Sequence, residues 1–106
     1  MTRELVGTLD ALKPGSAMKV VIDGLPIAVV RESSGDVHAL GDRCSHGDIS
    51  LSEGFVEDDT VECWAHGSKF ELRSGEPRNF PAFEPVPVYT VEIDGDNIFV
   101  NTEIRK

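Results

Sequence analysis

Short runs of β-branched and other apolar residues, separated by polar turn residues, dominate the first half of the chain. Residues 20–22 and 27–30 are two such runs, and the dipeptide Asp23-Gly24 lies in the turn between them. An Asp-Gly pair between two apolar runs is typical of a tight β-hairpin. A second polar turn at 33–36 leads into the mainly apolar residues 37–40. The pattern therefore predicts three consecutive strands in this part of the chain.

The second half of the chain repeats this pattern. Residues 88–93 and 97–100 flank a polar turn at 94–96, which predicts another hairpin. Shorter strands are expected at 60–63 and 69–72. Repeated short strands with polar turns are typical of an all-β sandwich or barrel, and this is the fold class that we predict.

Two segments depart from the strand pattern. Residues 8–12 have a weak helical pattern, which should end at Pro14-Gly15. Four of the six prolines lie at 77–87, where their restricted φ angles predict an extended and stiff segment. Most irregular stretches lie between about 41 and 83, while the flanking residues supply the hairpins. We therefore expect one domain over 1–106, with a subdomain at about 41–83 inserted into a β scaffold.

The charge balance of the chain is acidic. With 19 Asp and Glu residues against 10 Lys and Arg residues, the formal net charge is −9 at pH 7. The phosphate groups of nucleic acids and of anionic membranes require a basic face, so neither is an expected partner. An acidic protein is steered instead toward a basic surface on its partner, and salt weakens that encounter.

The N-terminal residues give no sign of export or membrane insertion. Residues 1–5 contain no apolar core of signal-peptide length, and the longest strictly apolar run, 27–30, is far too short for a membrane span. A cytoplasmic protein is therefore expected. Since that compartment is reducing, we expect Cys44 and Cys63 to be thiols or thiolates rather than the two halves of a disulfide.

Both cysteines and two of the three histidines lie in two short loops. Cys44 and His46 are in the first loop, Cys63 and His66 are in the second, and sixteen residues separate the two pairs. Because each loop offers one thiolate and one imidazole, two thiolates can converge on one metal ion and two imidazoles on another. This is the ligand set of a [2Fe–2S] centre in which two histidines replace two cysteines on one iron. A structural Cys2His2 zinc site is the alternative, although zinc fingers usually pair like donors within each arm.

The pattern C-x-H-x16-C-x2-H, with a glycine after each histidine, resembles the Rieske family. The resemblance implies that Cys44, His46, Cys63 and His66 bind one [2Fe–2S] cluster per chain. It also implies stacked antiparallel sheets, with the segment at about 41–83 as the cluster-binding subdomain.

The resemblance assigns roles to residues beside these ligands as well. Gly47 and Gly67 would let backbone amides approach the cluster sulfurs, and Pro81 lies where a proline-bearing loop covers the cluster. In high-potential respiratory members the second loop continues His-Gly-Ser-x-Tyr, and both hydroxyls donate to cluster sulfurs. Here Ser68 matches the serine, whereas Phe70 lacks the tyrosine hydroxyl. We therefore predict a reduction potential below that of the respiratory class.

The chain looks like the soluble ferredoxin components of bacterial aromatic-ring dioxygenases of the biphenyl or phenylpropionate type. This likeness implies an electron carrier rather than an enzyme, which passes single electrons from a flavin-dependent ferredoxin reductase to a terminal oxygenase. With His46 and His66 on the cluster, only His38 remains, so the two-histidine iron centre of an oxygenase cannot be built. Three alternatives stay open: a Rieske-like subunit of a larger reductase, a ferredoxin for another pathway such as iron–sulfur assembly, and a structural zinc module.

Three further side chains near the loops carry expectations. Trp64 is expected to pack in the loop, with shielding of the cluster or a docking surface as the alternatives. We expect His38 at the surface or in the core rather than on a metal. Asp42 and the other charged residues of the first loop are expected to be solvated.

Overall fold

The structure is a computed structural model that describes residues 3–43, 49–65, 67–78 and 84–105, with side-chain surroundings up to residue 102. In these ranges the chain forms nine β-strands and one 3₁₀ turn at Leu51–Glu53. The strands are β1 (Glu4–Thr8), β2 (Ser16–Ile22), β3 (Leu25–Arg31), β4 (Val37–Gly41), β5 (Phe55–Glu57), β6 (Thr60–Glu62), β7 (Lys69–Glu71), β8 (Val88–Asp94) and β9 (Asn97–Arg105).

The strands form two antiparallel sheets. The larger sheet has the order β1-β9-β8-β4-β3-β2, and the smaller has the order β5-β6-β7. The predicted all-β class is confirmed, whereas the domain boundaries at 41 and 83 stay a prediction. Across the described ranges, no helix is long and apolar enough to span a membrane.

The β2–β3 hairpin has the tight turn that its sequence predicts. Ile22 pairs with Leu25, so Asp23 and Gly24 are the two turn residues. Their φ angles are +51° and +81°, as a type I′ turn requires at both central positions. Asn, Asp and Gly tolerate this left-handed backbone better than other residues. The local chemistry of the dipeptide thus sets the register of the hairpin.

The helical pattern predicted at 8–12 is wrong. Strand β1 continues to Thr8, and the chain then makes a single turn in which the amides of Ala11 and Leu12 donate to the carbonyl of Thr8 at 3.2 and 3.1 Å. One turn is too short to repay the cost of helix nucleation, and Pro14 disfavours its extension. The turn instead places Leu12, which is 2% exposed, against the interior of the large sheet.

Strand β3 is buried on both faces. Its residues Ile27, Ala28, Val29 and Val30 are all 0% exposed. Because side chains alternate along a strand, Ile27 and Val29 face one side and Ala28 and Val30 face the other. The longest apolar run of the sequence is therefore a strand between two cores.

The two cores share the central strands of the large sheet. What we call the scaffold core contains residues of the large sheet and its first turn: Leu12, Ile22, Ile27, Val29, Ala39, Tyr89, Ile98 and Val100. The site core joins the other face of that sheet to the region of the small sheet: Ala28, Val30, Leu40, Leu51, Val61, Cys63, Phe70, Leu72, Val86 and Val88. The second cysteine of the motif is thus part of the core that connects the sheets.

A buried polar pair lies beside the scaffold. His38 in β4 and Glu32, just after β3, are each 6% exposed, and a carboxylate oxygen of Glu32 contacts the His38 Nε2 atom. The hydroxyl of Ser34 also donates to Glu32, at 3.5 Å. His38 therefore takes one of its two expected positions, in the interior, where it contacts a carboxylate.

Glu32→Ala should strongly destabilise the fold because it leaves the polar ring of His38 buried without its carboxylate partner. A buried polar group that loses its hydrogen-bond partner costs about 1–3 kcal/mol, which urea denaturation would measure. Glu92→Ala is the matched control, since Glu92 pairs with Arg3 at 2.9 Å and both side chains are about half exposed. It should cost no more than about 1 kcal/mol. Similar losses in the two variants would contradict the buried role of Glu32.

Candidate metal centre

The second Cys/His loop connects β6 to β7 and is closed by backbone hydrogen bonds. Cys63 directly follows β6, and its amide donates to the carbonyl of Ser68 at 2.7 Å. The amide of Gly67 donates back to the carbonyl of Cys63 at 2.8 Å. Since Glu62 and Lys69 pair across the two strands, these bonds continue the hairpin into the loop. Cys63 is therefore held in place by the strand before it and by the far end of its own loop.

Gly67 permits the backbone angle that this closure needs. Its φ is +74°, and a Cβ atom added there would meet nothing within 4 Å. Glycine is therefore favoured here by backbone conformation, not by lack of room.

The side chain of Cys63 lies in apolar surroundings. Cys63 and Ser68 are both 0% exposed, and Cys63 belongs to the site core with Val61 and Phe70. A charged thiolate is stable in such an interior only when it is paired, and an iron ion is a suitable partner. The chemistry and burial of Cys63 thus agree with its predicted role as an iron ligand.

The two ends of the first loop are joined by Asp42, which was expected to be solvated. That expectation is wrong, since Asp42 is 2% exposed. Its carboxylate accepts the amide of Ser52 at 2.8 Å and the hydroxyl of Ser50. Arg43 and Ser50 form an antiparallel bridge just inside this contact. The carboxylate can be buried because donors from the 3₁₀ turn satisfy it.

The predicted site residues divide between described and undescribed parts of the chain. The described ranges exclude Cys44, His46, Gly47, His66 and Pro81. They include Cys63, Gly67, Ser68 and Phe70. The structure brings the last four together in the β6–β7 hairpin and its loop, and their roles toward a cluster stay predictions.

Phe70 is the middle residue of the three-residue strand β7 and is 0% exposed. It pairs with Val61 on β6, and an isolated bridge links it to Pro77. Its ring lies in the same core as Cys63. We predicted a lower reduction potential because Phe70 lacks the tyrosine hydroxyl, and this residue lies in the interior.

Hydrogen bonds anchor the proline-bearing segment on both sides of residues 79–83. On one side, the amide of Arg78 donates to the carbonyl of Lys69 at 2.7 Å. On the other, the amide of Val86 donates to the carbonyl of Gly75 at 3.0 Å. A Cβ atom on Gly75 would lie 2.1 Å from the Val86 oxygen, so this close approach requires glycine. The predicted cover residue Pro81 lies outside the described ranges.

Arg78 also connects the proline-bearing segment to the small sheet. Its guanidinium donates to Asp59 at 2.9 Å and lies 3.4 Å from Glu71. The hydrogen bond to Asp59 raises the pKa of Arg78 above its ordinary value. Both ion pairs are solvent-exposed, so they orient the segment more than they stabilise it.

Trp64 follows Cys63 directly and is half exposed, with 50% of its surface open to solvent. A large exposed aromatic ring beside a proposed ligand suits contact with a partner better than packing within the loop. Sequence reasoning named this residue, but only the fold shows its exposure.

Residues 2–90 match the family model for the Rieske [2Fe–2S] domain. The chain belongs to the Rieske family. The predicted family is therefore confirmed, and a Rieske domain implies a [2Fe–2S] cluster.

Relatives of this Rieske protein include dioxygenase ferredoxins. It is 41% identical over 88 residues to the 3-phenylpropionate/cinnamic acid dioxygenase ferredoxin subunit of Shigella boydii, covering 82% of this chain and 81% of the relative. The ferredoxin of carbazole 1,9a-dioxygenase from Nocardioides aromaticivorans IC177 superposes with a TM-score of 0.88 at 36% identity, over 94% and 97% of the two chains. The predicted Rieske fold is thereby confirmed.

A second solved structure contains a partner. It is a complex of reduced oxygenase and oxidized ferredoxin in carbazole 1,9a-dioxygenase, and the matching chain has a TM-score of 0.87 and 33% identity. The match covers 92% of this chain and 91% of that one. At the level of the family, the prediction of an electron carrier rather than a catalyst is confirmed.

Gly67→Ala should weaken cluster retention because alanine disfavours the positive φ that closes the second loop, at a cost of roughly 1–2 kcal/mol. The matched control is Gly95→Ala in the β8–β9 turn, where φ is +64° and an added Cβ also meets nothing within 4 Å. Both variants should unfold more easily, but only Gly67→Ala should lose visible absorbance and bound iron faster than the parent protein. Equal iron loss in the two variants would show that Gly67 matters only for the fold.

Proposed function

We propose that this protein is the one-electron carrier of an aromatic-ring dioxygenase system. It accepts electrons from a flavin-dependent ferredoxin reductase and delivers them to a terminal oxygenase in the cytoplasm. The main support is the 41% identity, over most of both chains, to a dioxygenase ferredoxin subunit. A ferredoxin of similar fold in complex with its oxygenase supports the second partner.

The proposed centre is one [2Fe–2S] cluster per chain. Cys44 and Cys63 would bind one iron, and His46 and His66 would bind the other. The bound cluster supplies reversible one-electron chemistry. Since two neutral imidazoles replace two thiolates, its potential should exceed that of plant-type, four-cysteine ferredoxins.

The residues of the chain hold this centre in a fixed and partly dry environment. The site core excludes water from Cys63, and the hydrogen bonds of the second loop fix its backbone. Preorganised surroundings require little rearrangement when charge changes, which favours rapid electron exchange. We expect Ser68, which is fully buried in the same loop, to donate a hydrogen bond from its hydroxyl toward the cluster sulfurs.

The proposed contact with partners combines charge with one aromatic anchor. The net charge of −9 favours a partner with a basic surface, while half-exposed Trp64 offers apolar area beside a ligand. Redox encounters use small interfaces, so one such anchor can contribute much of the contact energy.

Iron and acid-labile sulfide analysis, followed by a single-turnover transfer assay, tests the proposal. We expect two irons and two sulfides per chain and a reduced EPR signal of low average g. The reduced protein should then pass one electron to a phenylpropionate-type terminal oxygenase, more slowly at high salt. A colourless protein containing one zinc, or a loaded protein that transfers no electron to this oxygenase, would overturn the proposed function.

Two variants of exposed apolar residues sharpen the transfer assay. Trp64→Ala should slow transfer at limiting oxygenase concentration without changing the iron content. Leu5→Ala, at a 59% exposed position of β1, removes a smaller apolar side chain of comparable exposure from the edge of the large sheet and should leave the rate unchanged. Equal rates in both variants would remove Trp64 from the contact.

The reduction potential should respond to the presence or absence of a hydroxyl group at positions 68 and 70. Ser68→Ala should lower it, since a lost hydrogen bond of about 1.4 kcal/mol corresponds to about 59 mV for one electron. Phe70→Tyr should raise it, because the new hydroxyl supplies the donor of the respiratory class. Tyr89→Phe, a hydroxyl change in the scaffold core, is the control. Voltammetry that finds no shift for Ser68→Ala and Phe70→Tyr would show that these residues only pack.

A further inference from the structure

The carboxylate of Asp42 lies at the base of the first ligand loop and makes several hydrogen bonds there. One oxygen accepts the amide of Ser52 at 2.8 Å, and the other accepts the hydroxyl of Ser50. The backbone carbonyl of Asp42 accepts the amide of Leu51, and its own amide donates to the carbonyl of Pro26 at 3.0 Å. Asp42 itself is 2% exposed, and its two side-chain hydrogen bonds are partly buried.

These bonds close the first loop. Residues 43–49, which include Cys44 and His46, lie between Asp42 and the residues that it contacts. Joining the two ends of a loop removes many of its conformations, which lowers the entropy lost when its side chains bind a metal. The carboxylate is suited to this task because its two oxygens accept from two donors at once.

The same contact also ties the first loop to the second. Leu51, whose amide donates to Asp42, is 0% exposed in the site core. That core contains Cys63 of the second loop. On the other side, Gly41 fixes the end of β4 by donating to the carbonyl of Pro87 at 2.9 Å. Asp42 therefore connects the loop of Cys44 and His46 to the interior that holds Cys63.

We infer that Asp42 is a positioning residue for the cluster. It holds the first loop at a set place relative to Cys63, so that the ligands of the two loops converge without rearrangement. The inference rests on the proposed [2Fe–2S] centre and concerns which residue outside the ligand set determines its geometry. Loss of the contact should loosen the cluster and alter its electronic environment.

Cluster release and the reduced EPR spectrum of the loaded protein test this role. In Asp42→Ala, transfer of iron to a chelator should be about 10-fold faster than in the parent, which corresponds to about 1.4 kcal/mol, the scale of one lost hydrogen bond. The g values should broaden or shift. In Asp42→Asn, which keeps one acceptor oxygen, the effect should be smaller.

Glu32→Ala is the matched control because Glu32 is also a buried carboxylate, but its partner is His38 in the scaffold. It should lower unfolding stability while leaving the g values of the loaded protein unchanged. If Asp42→Ala releases iron no faster than Glu32→Ala and keeps the parent spectrum, the positioning role is overturned.

Ser50→Ala covers the case in which Asp42→Ala does not fold, since it removes only one donor to the carboxylate. It should speed iron release in the same direction, and a parent-like rate and spectrum would contradict the inference. Iron analysis of the parent protein separates the proposed [2Fe–2S] centre from the positioning role of Asp42. A parent without iron would overturn the proposed centre, whereas a loaded parent with unaffected Asp42 and Ser50 variants would overturn the positioning role alone.

Discussion

The burial of β3 on both faces is the constraint on which the rest of the structure depends. Ile27 and Val29 pack into the scaffold core, and Ala28 and Val30 pack into the site core. Because apolar area is buried on both sides, a polar substitution in this strand would lower the folding stability whichever face its side chain occupies. Through Ala28 and Val30, this strand shares one core with the residues of the small sheet.

This packing gives the Rieske site a rigid base. Strand β4 pairs with β3 along its length and leads directly into Asp42 and the first ligand loop. On the other side of the site core, β6 leads into Cys63 and the second loop. Both loops thus start from strands that share one interior. An electron carrier benefits from such an arrangement, because its surroundings need little rearrangement when the charge of the site changes.

Features that depend on neighbouring residues were predicted from the sequence, whereas features that depend on contacts between distant residues were not. The turn at Asp23-Gly24 was predictable because the conformational preference belongs to those two residues. The helical pattern at 8–12 was misleading because β1 extends to Thr8 and the buried position of Leu12 decides the path of the turn. Asp42 was expected in solvent because its donors, Ser50 and Ser52, come from a turn whose return the local sequence does not reveal.

The sequence by itself determined the family and the metal chemistry that the family implies. Donor types and their spacing along the chain are covalent properties, so C-x-H and C-x2-H with their glycines were sufficient. The tertiary structure alone decided which polar groups are interior, as for Asp42 and Glu32, and that Trp64 is exposed. It also decided that Cys63 lies in the core joining the two sheets. Burial depends on what packs against a residue from distant parts of the chain, and no local pattern contains that information.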